Sequence, residues 1–108
     1  MIDKKTKNGI QSLRDAAREA SDLLKALANS GRLLLLCELA LGERNVSELE
    51  ERTGIRQPSL SQQLGVLREE ELVETRRDGK NIYYRISSPQ ALAVMRTLHE
   101  EFCAKEAK

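Results

Sequence analysis

The spacing of the apolar residues in this chain changes near residue 72 from a helical period to a strand period, and it returns to a helical period after Ile86. Before that point apolar side chains recur three or four residues apart, whereas from Leu72 to Ile86 they alternate with polar ones. Asp78-Gly79 divides the alternating stretch and is a preferred two-residue hairpin turn. A hairpin that follows four helical stretches and precedes a fifth predicts a mainly α fold with the element order ααααββα.

The first two predicted helices follow a polar N-terminal stretch. Residues 1–10 are rich in lysine and predict a flexible arm, so that residues 11–105 form the folded domain. Ser12 and Asp15 resemble a capping pair, which places the first helix at about residues 12–28. The second helix is predicted over residues 32–41, where Gly42 is suited to a left-handed cap at its end.

The remaining helices have recognisable starting residues. Ser47-Glu48-Leu49-Glu50 reads as a capping box that opens a short third helix, which ends at Gly54. Pro58 suits the first turn of a fourth helix, whose buried stripe is predicted to be Leu60, Leu64 and Leu67. Gly65 inside that helix costs up to about 1 kcal/mol relative to alanine, which suggests the close approach of a neighbouring helix. Ser88-Pro89 is expected to cap and begin the last helix.

Composition limits the kind of protein that these elements can build. A chain of 108 residues fits one domain, and with only 3% aromatic residues its core must be aliphatic. Aliphatic helices on a chain this small often pair with a second subunit. No apolar run approaches the roughly 20 residues of a membrane span, and the N-terminus lacks an apolar signal core. We therefore expect a cytoplasmic protein with reduced cysteines and no membrane partner.

The third and fourth helices have the form of a helix-turn-helix, whose second helix enters the major groove of DNA. No acidic residue lies between Arg56 and Arg68. That stretch carries polar side chains that can hydrogen-bond base edges, and cations near the hairpin tip can reach phosphates. The predicted DNA-binding residues are Gln57, Ser59, Ser61, Gln62, Gln63, Arg76, Arg77 and Lys80. Double-stranded operator DNA is the expected partner.

Over about residues 20–103 the chain resembles the ArsR/SmtB repressors. The matching segments are Leu27-Ala28-Asn29-Ser30-Gly31-Arg32-Leu33, Val46-Ser47-Glu48-Leu49, Gln57-Pro58-Ser59-Leu60-Ser61-Gln62-Gln63-Leu64 and Leu72-Val73. The resemblance implies a winged helix-turn-helix homodimer joined by its first and last helices, with repression relieved by an inducer. One departure is Glu71, which stands where the family commonly has glycine, and a left-handed backbone there is strained by roughly 1 kcal/mol.

The same resemblance bears on what the repressor senses. Metal-sensing members carry Cys-Val-Cys where this chain has Asn45-Val46-Ser47, and a second family metal site needs several histidines where this chain has one. The two cysteines, Cys37 and Cys103, are similar to those of the BigR-type subgroup, which responds to sulfide-derived persulfides through a thiol pair. The resemblance therefore implies a reactive sulfur species as inducer, with the two thiols joined by a disulfide or a polysulfide.

Other functions stay open from the residues alone. The cysteines are also compatible with ordinary packing, since free cysteine behaves as a small apolar residue. Cys37, His99 and Cys103 are possible ligands of a metal-responsive repressor. A winged-helix module that binds protein instead of DNA is a further alternative. An enzyme is not expected, because the single histidine has no evident Ser/Asp partner motif and there is no glycine-rich phosphate loop; no cofactor is expected either.

Overall fold

The computed structural model of the protein describes residues 7–103. Its helices are α1 Lys7–Leu27, α2 Ser30–Leu41, α3 Val46–Thr53, α4 Ser59–Glu69 and α5 Pro89–Leu98, with one π-helical turn, His99–Cys103, continuing α5. Its strands are β1 Arg44–Asn45, β2 Val73–Asp78 and β3 Asn81–Ile86. The predicted winged helix-turn-helix is confirmed. Strand β1 was not predicted, because its two residues are too few to show an alternating pattern.

The wing is a small antiparallel sheet with the strand order β1-β3-β2. Arg44 pairs with Tyr84 across one edge, and Asp78 pairs with Asn81 at the tip. The two-residue turn is therefore Gly79-Lys80, one residue later than the expected Asp78-Gly79. Gly79 has a φ of 65°, and a positive φ at the first turn position is what a type II′ hairpin turn requires.

The core lies between the helices and the inner face of the wing. Leu35 and Leu36 of α2 are fully buried, and they meet buried side chains from the other helices. The largest of these are Leu49, Leu60, Leu64, Leu67 and Met95. The stripe predicted for the fourth helix is thus confirmed, and burial of this stripe fixes which face of α4 points outward.

Helix ends follow the expected chemistry with two exceptions. Gly54 takes the left-handed conformation at φ 76°, and the Ser88 side chain accepts a hydrogen bond from the Ala91 N–H. The cap of α3 is Asn45 instead of Ser47, and it forms a reciprocal capping box with Glu48. Gly42, at φ 153° and ψ 173°, does not form the expected left-handed cap. Pairing of β1 with β3 places Asn45 in the extended backbone that an N-cap needs.

Helix α1 begins at Lys7, earlier than the capping pattern suggested. Residues 7–10 therefore belong to the helix and not to an arm, and Ser12 lies inside the helix, so it is not its cap. The first six residues of the expected arm lie outside the described part of the chain. From Gln11 to Asp22 every side chain of α1 is exposed. Within the described residues no helix combines the length and apolar character needed to cross a membrane.

The end of α4 is closed by a Schellman motif with Glu71 in the position that usually holds glycine. The Leu72 N–H donates to the Leu67 carbonyl at 2.9 Å, and the Glu71 N–H donates to the Arg68 carbonyl at 2.9 Å. Glu71 has a φ of 59°, which confirms the strained left-handed residue expected there. The chain keeps this turn because Leu72 and Val73 beyond it are buried in the core.

Replacing Glu71 with glycine removes the strain without removing a buried contact. We expect Glu71→Gly to raise the free energy of unfolding by about 1 kcal/mol, as measured by urea denaturation. Glu70, which has a φ of −83°, is the matched control. Glu70→Gly relieves no strain and adds chain entropy to the unfolded state, so it should be neutral or destabilising. Equal effects of the two substitutions would contradict the strain at Glu71.

Candidate nucleic-acid interface and thiol pair

Helix α4 presents a polar face to solvent because its apolar stripe is buried. Leu60, Leu64 and Leu67 point into the core, so the residues between them point away from it. Ser59, Ser61 and Gln62 are exposed. Three of the predicted DNA-reading side chains therefore lie on one accessible surface, in the first half of the helix.

Gln57 has a structural role at the start of the same helix. Pro58 is the N-cap residue and offers no side-chain acceptor, so the first N–H groups of α4 need partners elsewhere. The Gln57 Oε1 accepts a hydrogen bond from the Ser61 N–H at 3.0 Å. Gln57 is exposed next to the reading surface, but in the free protein its amide oxygen is used to begin the helix.

Gln63 departs from the expectation for a base-reading residue. It is half buried, and its Oε1 accepts a hydrogen bond from the Arg32 Nη1 at 3.0 Å. The same guanidinium donates to the carbonyls of Lys25, at 3.3 Å, and Ala26 near the end of α1. Arg32 thus joins α1, α2 and α4, and Gln63 serves this junction instead of the exposed face.

Arg32 itself is missing from the sequence-based set of functional residues, although a signal was present. It lies in the first turn of α2, where the positive end of the helix dipole disfavours a cation. An arginine at such a position indicates that its charge is used by another element. Here that element is the C-terminal end of α1, whose last carbonyls have no partner within the helix.

The wing cations fall into two groups. Arg76 is paired within the fold: it forms a bidentate interaction with Glu43 at 2.7 and 2.9 Å and lies 4.6 Å from the centroid of the Tyr83 ring. Hydrogen bonding from Arg76 lowers the pKa of the Glu43 carboxyl. Arg77 and Lys80 are exposed and have no ion pair within the described chain. Of the three predicted wing cations, only these two remain free to meet phosphates.

The two predicted sensor cysteines are free thiols on neighbouring helical segments. Cys37 lies in α2, Cys103 ends the π-helical turn after α5, and both are exposed. The pKa of Cys37 is raised, first by partial burial and then by the negative charges of Cys103 and Glu38. Helix α2 packs against α5, and the π-helical turn that ends in Cys103 continues α5. The raised pKa means that Cys37 resists ionisation.

A shallow groove of 330 Å³ opens beside Cys37. The groove is lined by residues of α2, of the C-terminal half of α5 and of the turn that follows it: Ala40, Leu41, Met95, Arg96, His99 and Glu100. Between residues 7 and 103 no group of three or more His, Cys, Asp or Glu side chains is arranged to hold a metal ion. The arrangement gives a small reagent access to Cys37 and does not favour the alternative of a Cys37, His99 and Cys103 metal site.

The helix-turn-helix, its exposed polar second helix and the cationic wing define a winged helix-turn-helix protein. A family model described as "Bacterial regulatory protein, arsR family" matches residues 29–75. The biofilm growth-associated repressor of Agrobacterium fabrum is 48% identical over 97 residues, which cover 90% of this chain and 83% of that protein. The chain belongs to the arsR family of bacterial regulatory proteins. Its resemblance to the BigR-type members is confirmed as well.

Solved structures agree with this assignment. The transcriptional repressor BigR from Xylella fastidiosa superimposes with a TM-score of 0.80 at 47% identity, covering 86% of this chain and 95% of that one. Reduced HlyU from Vibrio cholerae gives a TM-score of 0.82 at 39% identity, covering 86% and 98%. HlyU of Vibrio cholerae is named a transcriptional activator, so the relatives include both repressors and an activator of transcription.

Neighbouring glutamines of α4 allow the junction at Arg32 to be tested. We expect Gln63→Ala to lower the free energy of unfolding by about 1 kcal/mol, because it removes the acceptor from a half-buried guanidinium. Gln62→Ala is the matched control, since Gln62 is exposed and surface substitutions usually change stability by less than about 0.5 kcal/mol. Urea unfolding of both variants measures the difference. Equal stability would show that the contact between Arg32 and Gln63 does not hold α4.

Proposed function

We propose that this protein is a homodimeric repressor that binds operator DNA and releases it when Cys37 and Cys103 become covalently linked. The observation that carries the DNA-binding part is the exposed first half of α4, where Ser59, Ser61 and Gln62 point outward. This surface is free of acidic residues. The wing of the same chain adds two exposed cations, Arg77 and Lys80, which form no ion pair within the described residues.

Each group has a distinct part in binding the duplex. Gln62 has the donor and acceptor needed to pair with the edge of an adenine, and the serine hydroxyls can bond several bases. Arg77 and Lys80 contact phosphates, which gives affinity that does not depend on sequence and falls with salt. Arg76 contributes indirectly, because its pair with Glu43 ties β2 to the loop that precedes β1.

A second copy of the chain is the partner that fits the exposed face of α1. Ile10, Leu13, Ala17, Ala20 and Leu24 recur at alternating intervals of three and four residues, and all five are exposed. Ile10 is 61% exposed and Leu24 is 58% exposed, which is unusual for large apolar side chains unless they meet a partner. Phe102, after α5, is exposed too, in line with an interface built from the first and last helices.

The proposed switch needs an oxidant, and a low-molecular-weight persulfide supplies it. The Cys37 thiolate attacks the outer sulfur of the persulfide, takes that sulfur and releases the donor's thiol. The Cys103 thiolate then attacks the Cys37 sulfur atom and expels the transferred sulfur as hydrogen sulfide, leaving a disulfide. The two protein thiols are oxidised, and the transferred sulfur is reduced. If both thiols are first persulfidated, expulsion of one hydrogen sulfide leaves a trisulfide instead.

Repression is proposed because relatives that are 48% identical to this chain are named repressors, and BigR of Xylella fastidiosa is a repressor among the solved structures. The thiol part is supported by the influence of Cys103 on Cys37 and by the groove at Cys37. Among the relatives, HlyU of Vibrio cholerae is described in a reduced form.

DNA binding can be tested by fluorescence anisotropy with the DNA upstream of the protein's own coding sequence, at increasing salt. Each lost phosphate contact reduces the slope of log affinity against log salt by about 0.9. Because a homodimer loses one contact from each subunit, we expect a decrease of about 1.8 for Arg77→Ala and for Lys80→Ala. The double variant Glu43→Gln/Arg76→Gln keeps the local net charge and should keep the slope. Absence of salt-sensitive binding by the wild type would refute the repressor and favour a protein-binding module.

The thiol switch predicts that either cysteine alone is insufficient. Cys37→Ser and Cys103→Ser should bind operator DNA like the wild type, yet remain bound after treatment with glutathione persulfide. Because the pKa of Cys37 is raised, its thiolate fraction is small at neutral pH, and wild-type modification should accelerate as the pH rises. Anisotropy follows DNA release, and mass spectrometry counts the sulfur atoms in the bridge.

A reductant that restores DNA binding to treated wild-type protein is the control for irreversible damage. Release of DNA by persulfide in both single-cysteine variants would show that the thiol pair is not the switch. Release only after zinc or copper addition, with persulfide inert, would support the metal alternative.

A further inference from the structure

Gly65 occupies a helix position that its own chain does not explain. It lies in the middle of α4, where glycine is less favourable than alanine by about 1 kcal/mol. The sequence suggested that a neighbouring helix approaches this point. In the structure a Cβ added at Gly65 meets no heavy atom within 4 Å, and its φ is not in the positive region that would require glycine. Neither packing nor backbone geometry within the described chain therefore calls for glycine here.

The position of Gly65 on α4 links it to the exposed polar face. It follows Ser61 by four residues and Gln62 by three, so all three share one side of the helix. A groove of 590 Å³ runs along this side, lined by Ser61, Gln62, Gly65, Val66, Arg68 and Glu69. Gly65 contributes no side chain to this lining, and the space above its Cα is open.

We propose that Gly65 is the point of closest approach between α4 and duplex DNA, kept without a side chain so that the helix can lie deep in the major groove. This inference rests on the proposed DNA-binding function and assigns a further residue to its site. Glycine is the usual residue where a backbone must come close to a ligand.

The charges around Gly65 identify DNA as the occupant. The groove has polar Ser61 and Gln62 on one side and the cation Arg68 on the other. No acidic residue occurs from Arg56 to Arg68, and Glu69 marks the far edge. An acid-free stretch that combines hydrogen-bonding side chains with a cation complements a duplex, which presents base edges and phosphates.

A methyl group at residue 65 would increase the distance between α4 and the duplex. The α4 backbone is held by its buried leucines, so it cannot shift inside the protein to make room. The added Cβ would instead keep the duplex farther away, lengthening the contacts that Ser61 and Gln62 make. Affinity for DNA therefore falls although the protein becomes more stable.

The test measures stability and DNA binding on the same variants of the full chain. Gly65→Ala should raise the midpoint of thermal unfolding by about 4–8 °C, because alanine is the better helix former and the site is open. Forcing a methyl group into a filled contact weakens binding by about tenfold for each α4. Because a homodimer carries the substitution in both half-sites, its binding to the upstream DNA should weaken by about a hundredfold. Gly65→Ser should weaken binding at least as much.

Glu71→Gly is the matched control, because it stabilises the protein at the end of α4 without adding a side chain to the groove. It should raise the unfolding midpoint and leave DNA binding undiminished. The proposal is overturned if Gly65→Ala binds DNA as tightly as the wild type, or if it fails to raise the midpoint. A wild type that does not bind the DNA would instead refute the proposed function, which keeps the two failures distinguishable.

Discussion

The position of α4 depends on its buried leucines and on one guanidinium that joins it to two other helices. Arg32 lies at the start of α2, where the helix dipole opposes its charge, but it faces the C-terminal end of α1, where the dipole favours it. There it donates to two carbonyls that α1 leaves without helical partners, and its Nη1 donates to Gln63. One side chain thereby joins three helices. The outward direction of Ser61 and Gln62 follows from this arrangement as much as from the buried leucines.

In the wing, as in α4, some polar side chains form contacts within the fold and others remain exposed to solvent. Arg76 satisfies Glu43 and covers Tyr83, so the strand that carries it is held against the helical body. Its neighbour Arg77 points away from that pair because successive residues of a strand face opposite sides. One strand thus supplies both the charge that builds the wing and the charge that remains for a ligand. The residue types are identical, and only their position in the pleat distinguishes them.

Helical periodicity predicted the helices that bury a regular apolar stripe, and it failed where contacts between distant residues determine the structure. The spacing of Leu60, Leu64 and Leu67 predicted α4. Gly54 and Ser88 predicted helix ends, because these signals are local. Strand β1 has two residues, too few for a period, and its pairing with β3 is what makes Asn45 the cap in place of Ser47.

In the candidate site, too, local spacing predicted which side chains are exposed, but it did not reveal contacts between residues far apart in sequence. Ser59, Ser61 and Gln62 of α4 are exposed, as the spacing of the buried leucines predicts. Gln63 and Arg76 were assigned to the DNA surface because composition cannot show that Arg32 and Glu43 already bind them. Those partners are 31 and 33 residues away in sequence, beyond any local pattern.

Helix α2 connects the two parts of the proposed switch. It carries Arg32 in its first turn and Cys37 in the next, and its buried Leu35 and Leu36 hold it rigidly against the core. A covalent link from Cys37 to the segment after α5 would pull on this helix, and a helix transmits displacement along its length because its backbone is fully hydrogen-bonded. The displacement would arrive at the guanidinium that positions α4. Sulfur chemistry at an exposed thiol would then alter the DNA-reading surface without touching it, and the dimer would convert a small rotation into a mismatch with half-sites about 34 Å apart.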